Sequence, residues 1–268
     1  MSIKLVALDL DDTLLDTGLK ISEDCVRTIQ EVRKRGVRVT ISTGRMYRSA
    51  LPYAQQLEID VPLITYQGAW VKNSLSGEVL YCKPVPRKLA IEVIKYFKVA
   101  GVHCHSYYND QLVMESLSEE GRFYSQLAGV EAVLVDDLIA QLDTGEAMKI
   151  MAISYDEKQL LDIERNLKLN YGDNLHITRS KPYFLEVMHR EANKAKALEV
   201  IARHFGIGRQ EVMAVGDSYN DIEMIEWAGL GVAMGNAFQS VKEIADFVTA
   251  SNEEEGVAEA LRRFIINK

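Results

Sequence analysis

Near its N-terminus the chain reads KLVALDLDDTLLDTG over residues 4–18, an apolar run that ends in three aspartates. The segment Ile3–Asp9 predicts a buried strand, because it is short and mainly apolar. Carboxylates crowded at the end of such a strand repel one another and resist removal from water. Another part of the fold must therefore neutralise Asp9, Asp11 and Asp12, or use them.

The rest of the chain places this strand in an alternating pattern of strands and helices. Ser22 predicts the N-cap of a helix, and strands are predicted at Val37–Ser42 and Pro62–Tyr66. The same rhythm returns from Ala192, with a strand predicted at Glu211–Val215. Strands that alternate with helices are typical of a mainly parallel sheet covered on both faces. The sequence therefore predicts an α/β fold.

The middle of the chain interrupts this rhythm. The prolines of KPVPRK, residues 83–88, mark a boundary, and a segment rich in strands follows them. We therefore predict one domain made from both chain ends, residues 1–83 and 189–268. A second domain is predicted as an insert at residues 84–188.

The composition argues against several classes of protein. The chain has 268 residues, of which 47% are hydrophobic, so it can bury a core in one large domain or two modest ones. Its formal net charge of -8 argues against nucleic acid or an anionic membrane as the main partner. An anionic substrate would need a local positive site.

The cysteines and the N-terminal residues favour a cytoplasmic protein. Cys25, Cys82 and Cys104 lie far apart without a Cys-x-x-Cys pair, which is typical of reduced thiols. The first apolar stretch does not resemble a signal peptide, because Lys4 interrupts it and Asp9 ends it. No apolar stretch approaches the roughly 20 residues of a membrane span. We expect a soluble, cytoplasmic protein.

Carboxylates follow two of the predicted strands. Asp9 and Asp11 would point to the same side if the extended backbone continues, where they could hold Mg²⁺ or act as nucleophile and acid/base. The stretch Gly216-Asp217-Ser218-Tyr219-Asn220-Asp221 places two acids and an amide at another strand end. Either group could instead cap a helix or begin a turn. Asp9 and Asp11 by themselves do not decide between a functional site and a cap or turn. For residues 216–221, capping explains one acid well but not the whole group.

Two further junctions between a strand and a helix could bind an anion. Thr43 offers a hydroxyl, and Gly44 lets backbone N–H groups approach a ligand at the start of the next helix. Lys194 and Lys196 open the helix that follows the insert and could supply the missing positive charge. Ordinary capping and solvated lysines are the alternative interpretations.

The four junctions together offer an acid pair, a hydroxyl with a glycine, a lysine and an acid cluster. Mg²⁺-dependent phosphoryl transfer to a carboxylate requires this inventory. In this order they resemble the four motifs of the haloacid dehalogenase-like hydrolase superfamily: Asp9-Leu10-Asp11-Asp12-Thr13-Leu14, Thr43-Gly44-Arg45, Lys194, and Gly216-Asp217-x-x-Asn220-Asp221. The position of the insert is similar to that in the Cof-type, or subfamily IIB, sugar phosphatases.

The resemblance implies a fold, an activity and a set of site residues. The fold is an α/β, Rossmann-like parallel-sheet core with an inserted α/β cap of the C2B type. The activity is Mg²⁺-dependent hydrolysis of a small phosphorylated metabolite, with a sugar phosphate as the expected class. Asp9 is the implied nucleophile, and Asp11 the implied acid and base. The implied metal site comprises Asp9, Asp11 through its main-chain carbonyl, Asp217 and, in support, Asp221. The implied phosphate-binding residues are Leu10, Thr43, Gly44, Lys194 and Asn220.

Three positions depart from the usual pattern of that branch. Asp12 stands where glycine is frequent, and Ala195 replaces a frequent glycine. Gln67-Gly68-Ala69 stands where Asn-Gly-Ala is common.

Two other functions use similar residues. A phosphomutase would need a second phosphate site, built from basic residues of the insert. A receiver-like phosphoaspartate switch also uses Asp, Thr and Lys at strand ends, but it needs only about 120 residues. It would not account for the insert or for the cluster at residues 216–221.

Overall fold

A computed structural model describes residues 2–268, which form two compact units. The first unit comprises the chain up to Gly44, Ala50–Tyr81 and Asn193–Lys268. The second comprises Arg45–Ser49 and Cys82–Ala192. Among the described residues, no helix is both long and apolar enough to cross a membrane. We propose residues 84–188 as the inserted domain.

Strands and helices occur in both units. The strands are β1 (Leu5–Leu8), β2 (Arg38–Ile41), β3 (Pro62–Thr65), β4 (Trp70–Asn73), β5 (Val79–Cys82), β6 (His103–Tyr108), β7 (Gln111–Met114), β8 (Ala132–Leu134), β9 (Ala147–Ile153), β10 (Leu175–Lys181), β11 (Phe184–His189), β12 (Val212–Gly216), β13 (Leu230–Ala233) and β14 (Phe247–Val248). The α-helices are α1 (Glu23–Lys34), α2 (Tyr47–Gln56), α3 (Arg87–Ala100), α4 (Glu119–Ala128), α5 (Leu138–Gln141), α6 (Glu157–Tyr171), α7 (Lys194–His204), α8 (Ile222–Trp227), α9 (Gln239–Ile244) and α10 (Gly256–Leu261).

The first unit contains a parallel sheet with β1 near its centre. Five strands lie in the order β14-β13-β12-β1-β2, and every neighbouring pair is parallel. The register places Leu8 beside Val215 of β12 on one side and beside Ile41 of β2 on the other. The residues that follow these three therefore meet at one edge of the sheet. In open parallel sheets, ligands bind at this edge, at the point where the order of the strands along the sheet reverses.

The buried strand predicted at the N-terminus is confirmed. All four residues of β1 are fully buried. The helix predicted after Ser22 is also present as α1, and the Ser22 side chain accepts a hydrogen bond from the backbone N–H of Cys25. The predicted α/β fold with a parallel sheet therefore forms.

The strand β3 departs from the predicted pattern. It pairs antiparallel with β4 in a separate three-stranded sheet of order β3-β4-β5. An isolated bridge between Ser42 and Ile64 joins it to the end of β2. The reason is local: left-handed backbone at Tyr66, Gln67 and Gly68 turns the chain back directly after β3. The antiparallel neighbour β4 then follows without the helix that a parallel partner requires.

Other segments also differ from the prediction. Near the C-terminal end of the sequence, Glu255 has a left-handed φ of 63°, so that α10 begins only at Gly256. The short strand β8 and helix α5 were not predicted, because three or four residues carry too little periodicity to be recognised.

The second unit is built on a six-stranded sheet of order β10-β11-β9-β6-β7-β8. Its strands pair antiparallel except for β7 and β8, which are parallel. One hydrophobic cluster joins α3 and α6 to the sheet through Phe97, Leu160, Ile150 and Leu185. This unit therefore has its own core of helices packed on a sheet.

A buried polar cluster in the second unit surrounds His105. Its Nδ1 lies 3.1 Å from Nε2 of His103, and its Nε2 lies 3.4 Å from the Tyr107 hydroxyl. The ring also packs against that of Tyr124, with a centroid distance of 4.4 Å. Burial lowers the pKa of His105 well below its ordinary value of 6.5, and the charges of His103 and Lys149 act in the same direction.

We expect the protein to lose stability below about pH 6.5 through His105. Because its pKa is lowered in the folded state, the unfolded chain binds the proton more readily. The stability contributed by the neutral ring is therefore complete above that pH and is lost as the pH falls. Between about pH 7.5 and about pH 5.5 the free energy of unfolding should fall on this account, by an amount on the order of 1 kcal/mol.

Urea denaturation at both pH values measures this effect. Over that range the free energy of unfolding of the variant His105→Gln should fall by less than that of the wild type, with a difference on the order of 1 kcal/mol. His204 is exposed in the first unit, and His204→Gln serves as the matched control that keeps the wild-type dependence. The same pH dependence in His105→Gln and the wild type would contradict the assignment.

Candidate active site

Asp9 lies at the end of β1, where the chain leaves the sheet. Its backbone N–H donates to the carbonyl of Val215, so the residue continues the pairing with β12, and its side chain is buried. The turn Leu10–Leu14 follows, with Asp11 extended and Asp12 left-handed at φ 58°. Aspartate tolerates this backbone because its short side chain bonds locally, so the departure from glycine at position 12 fits the turn.

Lys194 supplies a buried ammonium group beside Asp9. The Asn193 side chain caps α7 by accepting from the backbone N–H of Lys196, which sets Lys194 on the first turn. Only 1% of Lys194 is exposed, and its Nζ lies 2.5 Å from Oδ1 of Asp9 and 2.6 Å from Oδ1 of Asp221. Lys196 is exposed. Of the two lysines that the sequence offers, Lys194 is therefore the one among the acids.

The loop after β12 brings two further carboxylates to this edge. Oδ1 of Asp217 accepts a hydrogen bond of 3.0 Å from the Thr13 hydroxyl. Oδ2 of Asp221 accepts from the backbone N–H groups of Asp217 and Ser218, at 3.1 and 3.0 Å. The Asp221 carboxylate therefore holds the backbone of its own loop and the ammonium group of Lys194 in place.

Burial and crowding change the acidity of this cluster. Burial, reinforced by the charge of Asp221, raises the pKa of Asp9 well above its ordinary value, and Lys194 offsets part of this rise. Burial and Asp221 likewise raise the pKa of Asp217 to about 8. Burial opposes the charge on Lys194, but Asp221 and Asp9 outweigh it and raise the lysine pKa. Three carboxylates face one ammonium group, so the site lacks positive charge.

The acid cluster has the donor set of a cation site. Among the described residues, Asp9, Asp217 and Asp221 each offer an oxygen atom, and these atoms lie within 4.8 Å of one another. Oxygen ligands suit a hard divalent cation, and such a cation would relieve the repulsion that raises the two aspartate pKa values. The Asp11 carboxylate lies outside this group, so a contribution from that residue would come from its main-chain carbonyl.

The loop after β2 lies at the same edge of the sheet. Thr43 is buried, and its backbone N–H donates to the carbonyl of Ile64. A Cβ atom on Gly44 would lie 2.4 Å from Nε2 of Gln67, so that contact requires glycine at position 44. Nδ2 of Asn220 donates a hydrogen bond of 2.8 Å to Oε1 of Gln67. This loop and the loop after β12 are therefore joined by Gln67.

The structure brings Asp9, Lys194, Asp217 and Asp221 into one buried cluster. The other predicted binding residues lie on loops that leave the same edge of the sheet: Leu10, Thr43, Gly44 and Asn220. Sequence reasoning gave no role to Thr13, whose contact with Asp217 joins residues 204 positions apart. No local pattern could reveal that contact.

Known proteins resemble this chain along nearly its full length. The family model of haloacid dehalogenase-like hydrolases matches residues 6–261. The 5-amino-6-(5-phospho-D-ribitylamino)uracil phosphatase YitU of Bacillus subtilis is 33% identical over 272 residues, 97% of each chain. A haloacid dehalogenase-like hydrolase from Bacteroides thetaiotaomicron superposes with a TM-score of 0.90 at 30% identity, over 98% of this chain and 100% of that one. The HAD subclass IIB sugar phosphatase BT4131 superposes with a TM-score of 0.83 at 25% identity, over 97% and 98%.

These similarities cover both units of the fold and agree on the class of reaction. YitU and BT4131 are both named phosphatases, although their names give different phosphorylated substrates. The names of YitU and BT4131 therefore agree on the removal of phosphate and differ in the substrate. The chain belongs to the haloacid dehalogenase-like hydrolases of the Cof type and is a phosphatase.

Proposed function

We propose that the protein is a Mg²⁺-dependent phosphatase that hydrolyses the phosphate ester of a small sugar or sugar-alcohol metabolite through an aspartyl-phosphate at Asp9. The observation that carries the proposal is the Lys194 ammonium group, buried between Asp9 and Asp221 at the end of a central strand. The named substrates of YitU and BT4131 support the substrate class, because both place phosphate on a sugar-derived molecule.

Asp9 and Asp11 divide the chemistry in this proposal. An oxygen of the Asp9 carboxylate attacks phosphorus, and the ester P–O bond breaks as the Asp11 carboxyl protonates the leaving oxygen. A water molecule then attacks phosphorus and gives a proton to the Asp11 carboxylate. The bond from Asp9 to phosphorus breaks in that step, and inorganic phosphate leaves with both aspartates restored.

Mg²⁺ would be held by Asp9, Asp217 and the main-chain carbonyl of Asp11. When bound, it supplies the positive charge that the three carboxylates lack and offsets charge on the phosphoryl oxygens. Asp221 supports this site by holding Lys194 and the backbone of the Asp217 loop. Thr13 orients Asp217 through its hydroxyl group.

The remaining predicted residues bind the phosphoryl oxygens in this proposal. Lys194 contributes its charge, and Thr43 contributes its hydroxyl. Gly44 and Leu10 contribute backbone N–H groups, and Asn220 contributes its side-chain amide. Donors of this kind stabilise the charge that spreads over the phosphoryl oxygens in the transition state.

A panel of phosphorylated compounds tests the proposal. Phosphorylated sugars, sugar alcohols, nucleotides and pyridoxal phosphate are incubated with the protein, with and without Mg²⁺, and released phosphate is measured. We expect repeated turnover of a sugar or sugar-alcohol phosphate that requires Mg²⁺. Phosphate that stays on the protein would indicate a switch, and transfer between two positions of a substrate would indicate a mutase. Either result would overturn the proposal.

Replacing Asp217 with asparagine should weaken the response to Mg²⁺. Loss of one anionic ligand is expected to raise the Mg²⁺ concentration for half-maximal activity by at least about tenfold. The rise in melting temperature on addition of Mg²⁺ should shrink as well, which tests binding without catalysis. Asp12→Asn is a matched control, because residue 12 is exposed and asparagine also adopts its left-handed backbone. An unchanged Mg²⁺ requirement in Asp217→Asn would exclude the ligand role.

A further inference from the structure

The turn that connects β3 to β4 has an unusual backbone. Tyr66, Gln67 and Gly68 are all left-handed, with φ angles of 52°, 56° and 93°. Tyrosine and glutamine rarely adopt this conformation, so the surrounding structure must hold the strained backbone in place. Strained backbone of this kind clusters at functional sites, where it holds other groups in place.

The turn contacts the loops of three of the four sequence motifs. The backbone N–H of Gln67 donates to the carbonyl of Thr43 at 3.1 Å. A Cβ atom on Gly68 would lie 2.2 Å from the carbonyl oxygen of Asn193, so this glycine allows the turn to lie directly against the start of α7. The third contact is the hydrogen bond from Asn220 to Gln67.

The Gln67 side chain lies between two of these loops. Only 3% of the residue is exposed. Its amide lies over the backbone of Gly44, at the distance that excludes a Cβ atom there, while its Oε1 accepts from Nδ2 of Asn220. The two loops come from opposite neighbours of β1, so Gln67 bridges the edge of the sheet on which the acid cluster lies.

In the structure this bridge holds the Asn220 amide with its Nδ2 toward Gln67. Because Oε1 of Gln67 can only accept, the Asn220 atom opposite it is the donor Nδ2. An NH₂ group carries two hydrogens, so one remains for a phosphoryl oxygen after the other has been given to Gln67. Without this partner the amide could rotate and present its carbonyl oxygen, which repels an anion.

We propose that Gln67 is a positioning residue, which orients the Asn220 amide toward the phosphoryl group without itself touching the substrate. The inference rests on the proposed function, in which Asn220 binds a phosphoryl oxygen.

A double-mutant cycle with Gln67→Met and Asn220→Ala tests this inference. Methionine keeps the length and flexibility of glutamine but has no amide group. With para-nitrophenyl phosphate as the probe, Asn220→Ala should lower kcat/KM by about 10- to 100-fold, and Gln67→Met by about three- to tenfold. The double variant should be no worse than Asn220→Ala, because Gln67 acts through Asn220. The inhibition constant of inorganic phosphate should follow the same pattern.

One control variant and one replacement variant separate a positioning role of Gln67 from an effect on stability. Thr28→Val removes a buried hydroxyl on α1 that donates to the carbonyl of Asp24, away from the site, and should leave kcat/KM unchanged. If Gln67→Met does not fold, Gln67→Asn replaces it. Asparagine adopts the left-handed backbone with less strain, and its amide is one carbon shorter.

The outcomes distinguish the inference from the function on which it rests. Losses that multiply in the double variant, or no loss in Gln67→Met, would overturn the positioning role alone. No loss in Asn220→Ala would overturn the phosphate-binding role of Asn220, and the inference with it.

Discussion

Replacing Asp9 with asparagine is expected to lower phosphate release by at least about 10⁴-fold. An amide has no anionic oxygen with which to attack phosphorus, so the aspartyl-phosphate cannot form. Single-turnover and steady-state phosphate release, measured on the best substrate of the panel, would give this factor. Asp12→Asn changes the same chemical group three residues further along and should retain activity.

The same variant should not unfold the protein. Burial and the charge of Asp221 raise the pKa of Asp9, which means that its negative charge opposes folding in the absence of a cation. A neutral amide of the same size removes that opposition, and Lys194 keeps its partner Asp221. Urea denaturation without Mg²⁺ should therefore give a free energy of unfolding at least equal to that of the wild type. Turnover comparable to that of the wild type in a folded Asp9→Asn protein would refute the nucleophile assignment.

Replacing Lys194 with methionine is expected to destabilise the protein by about 3–5 kcal/mol. Methionine fills similar space, but Asp9 and Asp221 then face each other without the ammonium group that both accept from. This loss is a large fraction of the roughly 5–15 kcal/mol that holds a typical domain folded. Activity should also fall, because the phosphoryl oxygens lose a charge partner.

Lys196→Met provides the matched control for that experiment. Residue 196 lies on the same helix, but its side chain is exposed, so the substitution should change the free energy of unfolding by no more than about 0.5 kcal/mol. Urea denaturation of both variants decides the point. Equal free energies of unfolding in the two variants would contradict the stabilising role of the Lys194 contacts.

The sequence alone predicted the buried N-terminal strand and the polar residues that follow it. A run such as residues 5–8 has no exposed face in a parallel sheet, so it is apolar throughout and easily recognised. The polar residues that follow it then predict the ligand-binding edge. This logic led to Asp9 and Asp217, and the structure places them in one cluster.

The contacts that sequence reasoning missed join distant parts of the chain. Thr13 reaches Asp217, and Gln67 reaches Asn220, across 204 and 153 positions. Each side chain is ordinary within its own segment. Thr13 meets Asp217 because β1 pairs with β12, and Gln67 meets Asn220 because β3 is also bridged to β2, on the other side of β1. The pairing of β3 was also missed, because the decisive left-handed turn at residues 66–68 includes tyrosine and glutamine, which do not usually signal one.

The order of strands in the parallel sheet has a consequence for synthesis on the ribosome. β1 emerges about two hundred residues before β12, which is one of its two neighbours. Until then β1 presents an unpaired apolar border, which is a template for association with other nascent chains. The sheet of the second unit has all its strands between residues 103 and 189, so its complete set is made before β12 emerges. The first unit therefore needs β1 to be protected from association until β12 has been made.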